Sequence, residues 1–423
     1  MRPAPLGGAQ RAPAKGVELP ALGGRPKSIT FEAVWKAVEA TLQAAPPASL
    51  EAAIGAFGEL GFSLAKSKDG HAKLRRGDFE LHLEADPIGS HPALRLELEG
   101  PSRGEKIERT AVEMHGTLIP EKLFDRMQER YEKVYEDFRD AFDDNGKKPL
   151  PTTFDKLKTF IDSGKSGKAQ AKEEAQDAEV AAAVGELKTK LEQLAKQGRA
   201  PRAVVVYTDG PDGAGKSSTG TIVLEALAAS GYTTDAVSFK APTAKERSQH
   251  WLQRFRDRGV PTGQLEARFW DRGPAGDAVY GKKTPAEVKV MARELRELER
   301  ELAKDGVLLF KVHIYADQEK QAETFGKRLG RQSAADVIEA ELVKRGKLTP
   351  ASAAALENIR SKIDGDDLQA LVNFDEHQSK FLRFSKAAGY TVVDATKRHA
   401  ARLEIIEAFV EQLEAHAKAH KPS

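Results

Sequence analysis

The stretch Ala203–Thr221, AVVVYTDGPDGAGKSSTGT, constrains the fold more than any other part of the chain. It opens on an apolar run, which is the pattern of a strand buried on both faces, and such strands belong to parallel sheets. Parallel strands need crossover connections, so this run commits the region to repeated strand–helix units. The run then enters Gly210-x4-Gly215-Lys216-Ser217, the Walker A spacing. Glycines there let backbone N–H groups, including those of Gly213, Ala214 and Gly215, converge on an anion, and the helix start that follows adds positive potential. Lys216 is placed to reach terminal phosphates, and Ser217 to help hold Mg²⁺. Asp212 is the odd member, because a carboxylate beside phosphates costs Coulomb energy. A metal ion between them offsets that cost, or the acid serves an incoming nucleophile. A plain phosphate-binding module gains nothing from it, so the loop points to an enzyme.

Strands and helices alternate onward from this loop. The strands are TTDAVSF, LEARFWD, VLLFKVHIY and YTVVDA. Helices are expected after Lys216, near Lys245–Arg258, at Pro285–Lys304, in a basic segment after the third of these strands, and at the C-terminus. The reading is an α/β, doubly wound parallel sheet over about residues 177–418. Strand C-terminal ends face the ligand in such sheets. Asp271 and Arg272 close the LEARFWD strand, which places an acid for metal and a cation for phosphate on that rim. Lys240 ends the preceding strand and joins them.

A smaller α+β domain is expected over 28–160. Helices at Ser28 to about Gln43 and Ser49–Leu60 precede two alternating strands, with Phe79, Leu81 and Leu83 on one face and Leu94, Leu96 and Leu98 on another. A long helix from Pro120 to Phe142 carries Phe124, Met127, Tyr131, Val134, Phe138 and Phe142 at three- and four-residue steps. His71, His82, His91 and His115 lack metal-ligand spacing and read as surface residues. Residues 1–27 read as a disordered tail and 161–176 as a linker.

The chain has 66 Lys+Arg and 64 Asp+Glu over 423 residues, a net charge of +2, which argues against a dedicated nucleic-acid binder. It has no cysteine, so disulfides, thiolate nucleophiles and cysteine-type zinc sites are excluded. No apolar run approaches the ~20 residues of a membrane helix. A cytoplasmic protein with no membrane partner is the expectation.

The ordered set VVVYTDGPDGAGKSSTGTI, FKAPTAKERSQHWLQRF, GQLEARFWDRG, the helix–strand–basic run from Val288 to Leu329, and YTVVDATKRHAARLEIIEAFVEQL resembles the family 2 polyphosphate kinases. It covers about 240 residues; residues 1–160 match nothing comparable. The resemblance implies a P-loop kinase with a helical lid, working with Mg²⁺ between inorganic polyphosphate and nucleotides of the ADP/GDP or AMP/GMP class. It implies Asp212 and Asp271 as organisers of metal and acceptor. Lys216, Lys240, Arg254 and Arg272 become phosphate ligands, with lid cations around Lys327, Arg328 and Arg331. It also implies a homo-oligomer. The chain departs from the family in Ser217 and Ser218, where glycines are usual, in GPAGDAVYG after Arg272, and in an alanine-rich lid from Ser333 to Leu356. An ATP-dependent nucleotide kinase resembling thymidylate kinases, and a non-catalytic sensor of polyphosphate or nucleotide, remain open beside the phosphotransferase.

Overall fold

A computed structural model describes residues 30–102, 105–145, 150, 153–161, 167–281, 283–360, 363 and 365–419, without the side chains of 144–145, 154–155, 167–173 and 217–220. The expected tail lies outside these residues, as do 162–166 of the expected linker.

In chain order the elements are α1 (Phe31–Ala44), α2 (Leu50–Glu59), β1 (Ser63–Lys68), β2 (His71–Arg76), β3 (Phe79–Ala85), β4 (Leu94–Ser102), β5 (Glu105–Met114), β6 (Thr117–Ile119), α3 (Glu121–Asn145) and α4 (Phe154–Ile161). Next come α5 (Gly167–Lys196), β7 (Ala203–Asp209), α6 (Lys216–Ala229), β8 (Thr233–Ser238), α7 (Ala244–Arg247), α8 (Gln253–Gly259), β9 (Glu266–Asp271), α9 (Ala275–Tyr280), α10 (Pro285–Lys304) and β10 (Val307–Tyr315). The chain finishes with α11 (Gln318–Lys344), α12 (Pro350–Ile359), α13 (Gly365–Val372), α14 (Phe374–Ala388), β11 (Thr391–Asp394) and α15 (Arg398–Ala419).

Two compact units result. The first joins the N-terminal elements to Gly326–Val372; the second holds 140–146, 162–325 and 373–423.

The first unit is built on the antiparallel meander β1-β2-β3-β4-β5-β6. Period-two alternation sets its two faces. Leu74, Leu81, Leu83, Leu96 and Leu98 point inward, and Phe31, Val34, Trp35 and Phe57 of α1 and α2 cover them. The other face carries charge. Glu80 pairs with Glu99 across β3 and β4, and their carboxylates lie near His82, close enough that three ligand atoms fall within 4.8 Å of one another. Spacing along the chain hides this cluster because it crosses strands. Lys73 and Lys106 already hold the two carboxylates.

Residues 326–344 of α11 pack in this unit against α3. A Cβ added at Gly326 would lie 2.8 Å from the Met127 carbonyl carbon, and one at Gly330 would lie 2.9 Å from the Val134 Cβ. Two glycines four residues apart thus let the helix backbones touch. Residues 326–344 therefore share a compact unit with the N-terminal elements.

The second unit has the parallel sheet β11-β10-β7-β9-β8. The central strand β7 is buried along its whole length. Val204, Val206, Phe310 and Val312 face Leu187, Leu191, Val223, Leu227 and Phe409 of α5, α6 and α15. Val205, Tyr207, Leu309 and Trp270 face Phe255, Leu295, Leu298 and Phe384 of α8, α10 and α14. Strand order reverses beside β7, which makes its C-terminal end the switch point for ligands. Helix α5 starts at Gly167, so the stretch expected as a linker is helical from that residue; its Ala, Gln, Lys and Glu are good helix formers despite their polarity. Among the described residues no helix is long and apolar enough to cross a membrane.

Gly326→Ala is expected to lose about 1–3 kcal/mol through overpacking against α3. Gly185→Ala on α5, where nothing lies within 4 Å, is expected to gain up to about 1 kcal/mol from helix propensity. Urea unfolding of both variants checks the contrast.

Candidate active site

The loop between β7 and α6 is shaped by its glycines. Gly213 and Gly215 have φ of 82° and 84°, and Gly215 is the N-cap of α6. Gly210 has φ of 140°, and a Cβ there would fall on the Ile314 carbonyl oxygen and 3.0 Å from its carbon. Lys216 curls back over the loop. Its Nζ donates to the Gly210 and Pro211 carbonyls at 2.8 and 2.9 Å and to Asp212 Oδ1 at 2.9 Å. The acid that looked costly in the sequence therefore has a cationic partner four residues away.

Above the loop lies a cleft of about 510 Å³. Lys216, Lys240, Arg247, Arg272 and Lys283 bring cations to it; Asp209, Asp212, Glu246 and Asp277 bring acids. Phe239, Trp251, Tyr280 and Phe381 give it aromatic wall. Cations beside a glycine loop suit phosphates, and flat apolar surface suits a planar ring. Arg272 is exposed and has φ of 65°, a left-handed backbone rare for a residue with a side chain.

The residues singled out in the sequence divide into groups. Gly210, Asp212, Lys216, Lys240, Arg254 and Arg272 meet in the cleft wall. Asp271 stands at the end of β9, where its Oδ2 accepts from Ser238 Oγ at 3.2 Å, and it does not line the cleft. Arg254 is only 5% exposed at its side chain. It donates to the Lys240 carbonyl and to Asp277 Oδ1, each at 2.7 Å, and stacks on Phe255. It acts as a strut beneath Lys240 and α9. Ser217 and Ser218 lie in the first turn of α6, with side chains outside the described set. Lys327, Arg328 and Arg331 follow Gly326 on α11 and belong to the first unit.

Sequence reasoning missed Asp209 and His313. Asp209 is 3% exposed, and burial raises its carboxyl to about 6 against hydrogen bonds from Ala275 and Tyr390. His313 is fully buried next to Gly210, and burial pushes its imidazole down to about 4, which keeps it neutral beside the lysine of the loop. Their only sequence signal was a polar residue at the end of an apolar strand. Phe381 gave none, while Trp251 and Tyr280 lay in the motifs quoted above without being read as cleft residues.

Residues 170–339 match the family model described as polyphosphate kinase 2 (PPK2). A GDP-polyphosphate phosphotransferase of Pseudomonas aeruginosa is 28% identical over 226 residues, 52% of this chain and 57% of that protein. An NDP-polyphosphate phosphotransferase 2 of Ruegeria pomeroyi is 29% identical over 167 residues, 39% of this chain and 45% of that protein. The chain therefore spans about half the length of these curated relatives. Among solved structures, a polyphosphate kinase 2 of Arthrobacter aurescens is 22% identical and covers 59% of this chain and 81% of its own, with a TM-score of 0.39. A structure assigned to the same kinase from Pseudomonas aeruginosa is 20% identical, covers 57% and 48%, and has a TM-score of 0.42.

Asp277→Ala is expected to cost about 3 kcal/mol because it strands the buried Arg254 guanidinium. Replacing both partners, Arg254→Met with Asp277→Leu, is expected to recover most of that loss. Denaturant titration of the single and double variants measures it.

Proposed function

We propose, from the polyphosphate kinase 2 domain carried at residues 170–339, that the chain transfers a phosphoryl group between inorganic polyphosphate and a nucleoside mono- or diphosphate. The observation that carries this reading is one cleft holding a glycine loop, the Asp212–Lys216 pair, further cations that include Lys240 and Arg272, and an aromatic wall. A sensor needs the cations but not the acid; a transferase has use for both.

In the transfer, an oxygen of the acceptor's terminal phosphate forms a bond to the terminal phosphorus of polyphosphate. The P–O bond to the rest of the chain breaks, and the shortened polyphosphate leaves with the bonding pair. The transition state is loose, so positioning and positive charge do the work rather than a covalent nucleophile. Lys216 exchanges its loop carbonyls and Asp212 for phosphate oxygens. Lys240 and Arg272 neutralise the chain and the acceptor. The aromatic wall takes the base.

Asp212, beside Lys216 in the cleft, and Asp271, at the end of β9, offer hard carboxylate oxygens, the donor type that suits Mg²⁺. Bound there with Ser217, Mg²⁺ would neutralise and template the phosphates. The nucleotide class, assembly as a homo-oligomer and cytoplasmic residence belong to the same proposal.

The test offers purified full chain and Mg²⁺ long-chain polyphosphate with each common nucleoside mono- and diphosphate, and ATP with the monophosphates in parallel. Polyphosphate-dependent product is expected, with turnover down by at least about 10²-fold in Asp212→Asn. Product from ATP alone would move the chain to the nucleotide kinases. No product, with polyphosphate still bound, would make it a sensor.

A further inference from the structure

Asp209 ends β7 with almost no exposure. One of its oxygens, Oδ2, accepts from the Ala275 N–H at 3.2 Å and from the Tyr390 hydroxyl at 2.9 Å. Gly273 passes so near that a Cβ there would lie 2.5 Å from the same oxygen and 2.6 Å from the Tyr207 ring. The end of β7, the turn after β9 and the entry to β11 therefore meet on one buried atom.

The turn it holds is the one that carries Arg272. A left-handed backbone at a residue with a side chain is strained, and such strain persists only where the surroundings over-determine it. Here the hydrogen bond at Ala275 and the close passage of Gly273 fix the chain just after Arg272. Its guanidinium lines the cleft and makes no ion pair among the described residues.

Stability alone does not account for the acid. Its carboxyl is raised to about 6, well above its ordinary value near 3.8, with burial the main cause. A carboxylate raised on folding favours the fold at low pH and loses that contribution as pH rises through about 6. At neutral pH the ionised group opposes folding, so the geometry it imposes is the better reason for it.

We propose that Asp209, with Tyr390, is a positioning residue that locks the Asp271–Ala275 turn so that Arg272 meets the phosphates of the substrate. This rests on the phosphoryl-transfer reading of the cleft. The role differs from that of a phosphate ligand, because Asp209 acts only through Arg272.

Steady-state kinetics on the full chain, varying polyphosphate, test it with Asp209→Ala, Asp209→Asn, Arg272→Ala and the double variant Asp209→Ala/Arg272→Ala. Asp209→Ala is expected to lower kcat/KM by about 10-fold or more, and adding it to Arg272→Ala to change little, because the two act as a unit. Asp209→Asn keeps an oxygen able to accept from both donors and is expected to restore most of the loss. Effects that multiply independently, or an Asn variant as impaired as the Ala variant, would overturn the inference. If Asp209→Ala does not fold, Tyr390→Phe takes its place, with a smaller loss that must again vanish beside Arg272→Ala. If the wild type transfers no phosphate, the functional reading fails by itself. The same proteins are then compared for affinity toward inorganic tripolyphosphate, where non-additive losses sustain the clamp and additive ones reject it.

Discussion

The carbonyl oxygen of Ile314 occupies the space that a side chain at residue 210 would need. That single exclusion sets the path of the chain as it leaves β7. A glycine is required there, with φ of 140°, and the loop can then fold over the end of β10. Gly213 next passes Phe325 and Gln321 at the start of α11, and Gly215 caps α6. Lys216 begins the helix directly over the loop carbonyls. Asp209 before the loop and Asp212 within it are fixed by the same path.

Charge is arranged in layers around this turn. Most buried charged groups are paired or hydrogen-bonded, as low dielectric demands. Lys311 is fully covered, bound to Glu299 and to the Ala388 carbonyl, and it faces the Tyr390 ring. Tyr390 in turn donates to Asp209, so one run of contacts joins α10, the end of α14, β11 and β7. Arg254 and Asp277 form a second buried pair under the rim. Lys240 and Arg272, by contrast, stand exposed at the cleft, where cations free of such pairing suit a polyanion. The proposed transfer uses this division: a buried floor of paired groups and an exposed cationic rim.

Much of this was legible in the sequence, and for physical reasons. Buried parallel strands read as apolar runs, so β7 and β10 stood out, and the glycine spacing located the loop between β7 and α6. Alternation in β3 and β4 marked the inward face of the antiparallel sheet. What escaped depends on contacts across the chain. Tyr390 is 181 residues from Asp209, and no spacing rule connects them. Nothing local reveals that Asp277 and the Lys240 carbonyl also hold Arg254 at the cleft. No spacing in the sequence singles out Gly326 and Gly330, whose missing side chains let α11 settle on α3.

Protection of lysines from an amine-reactive ester, read by peptide mass spectrometry with and without long-chain polyphosphate and Mg²⁺, tests the central claim most directly. The claim is that the polyanion lies on the β7–α6 loop and the cleft rim. Lys240 and Lys216 are then expected to be shielded, while exposed Lys66 on β1 reacts as before. Unchanged labelling of Lys240 and Lys216 with saturating polyphosphate bound would contradict the account.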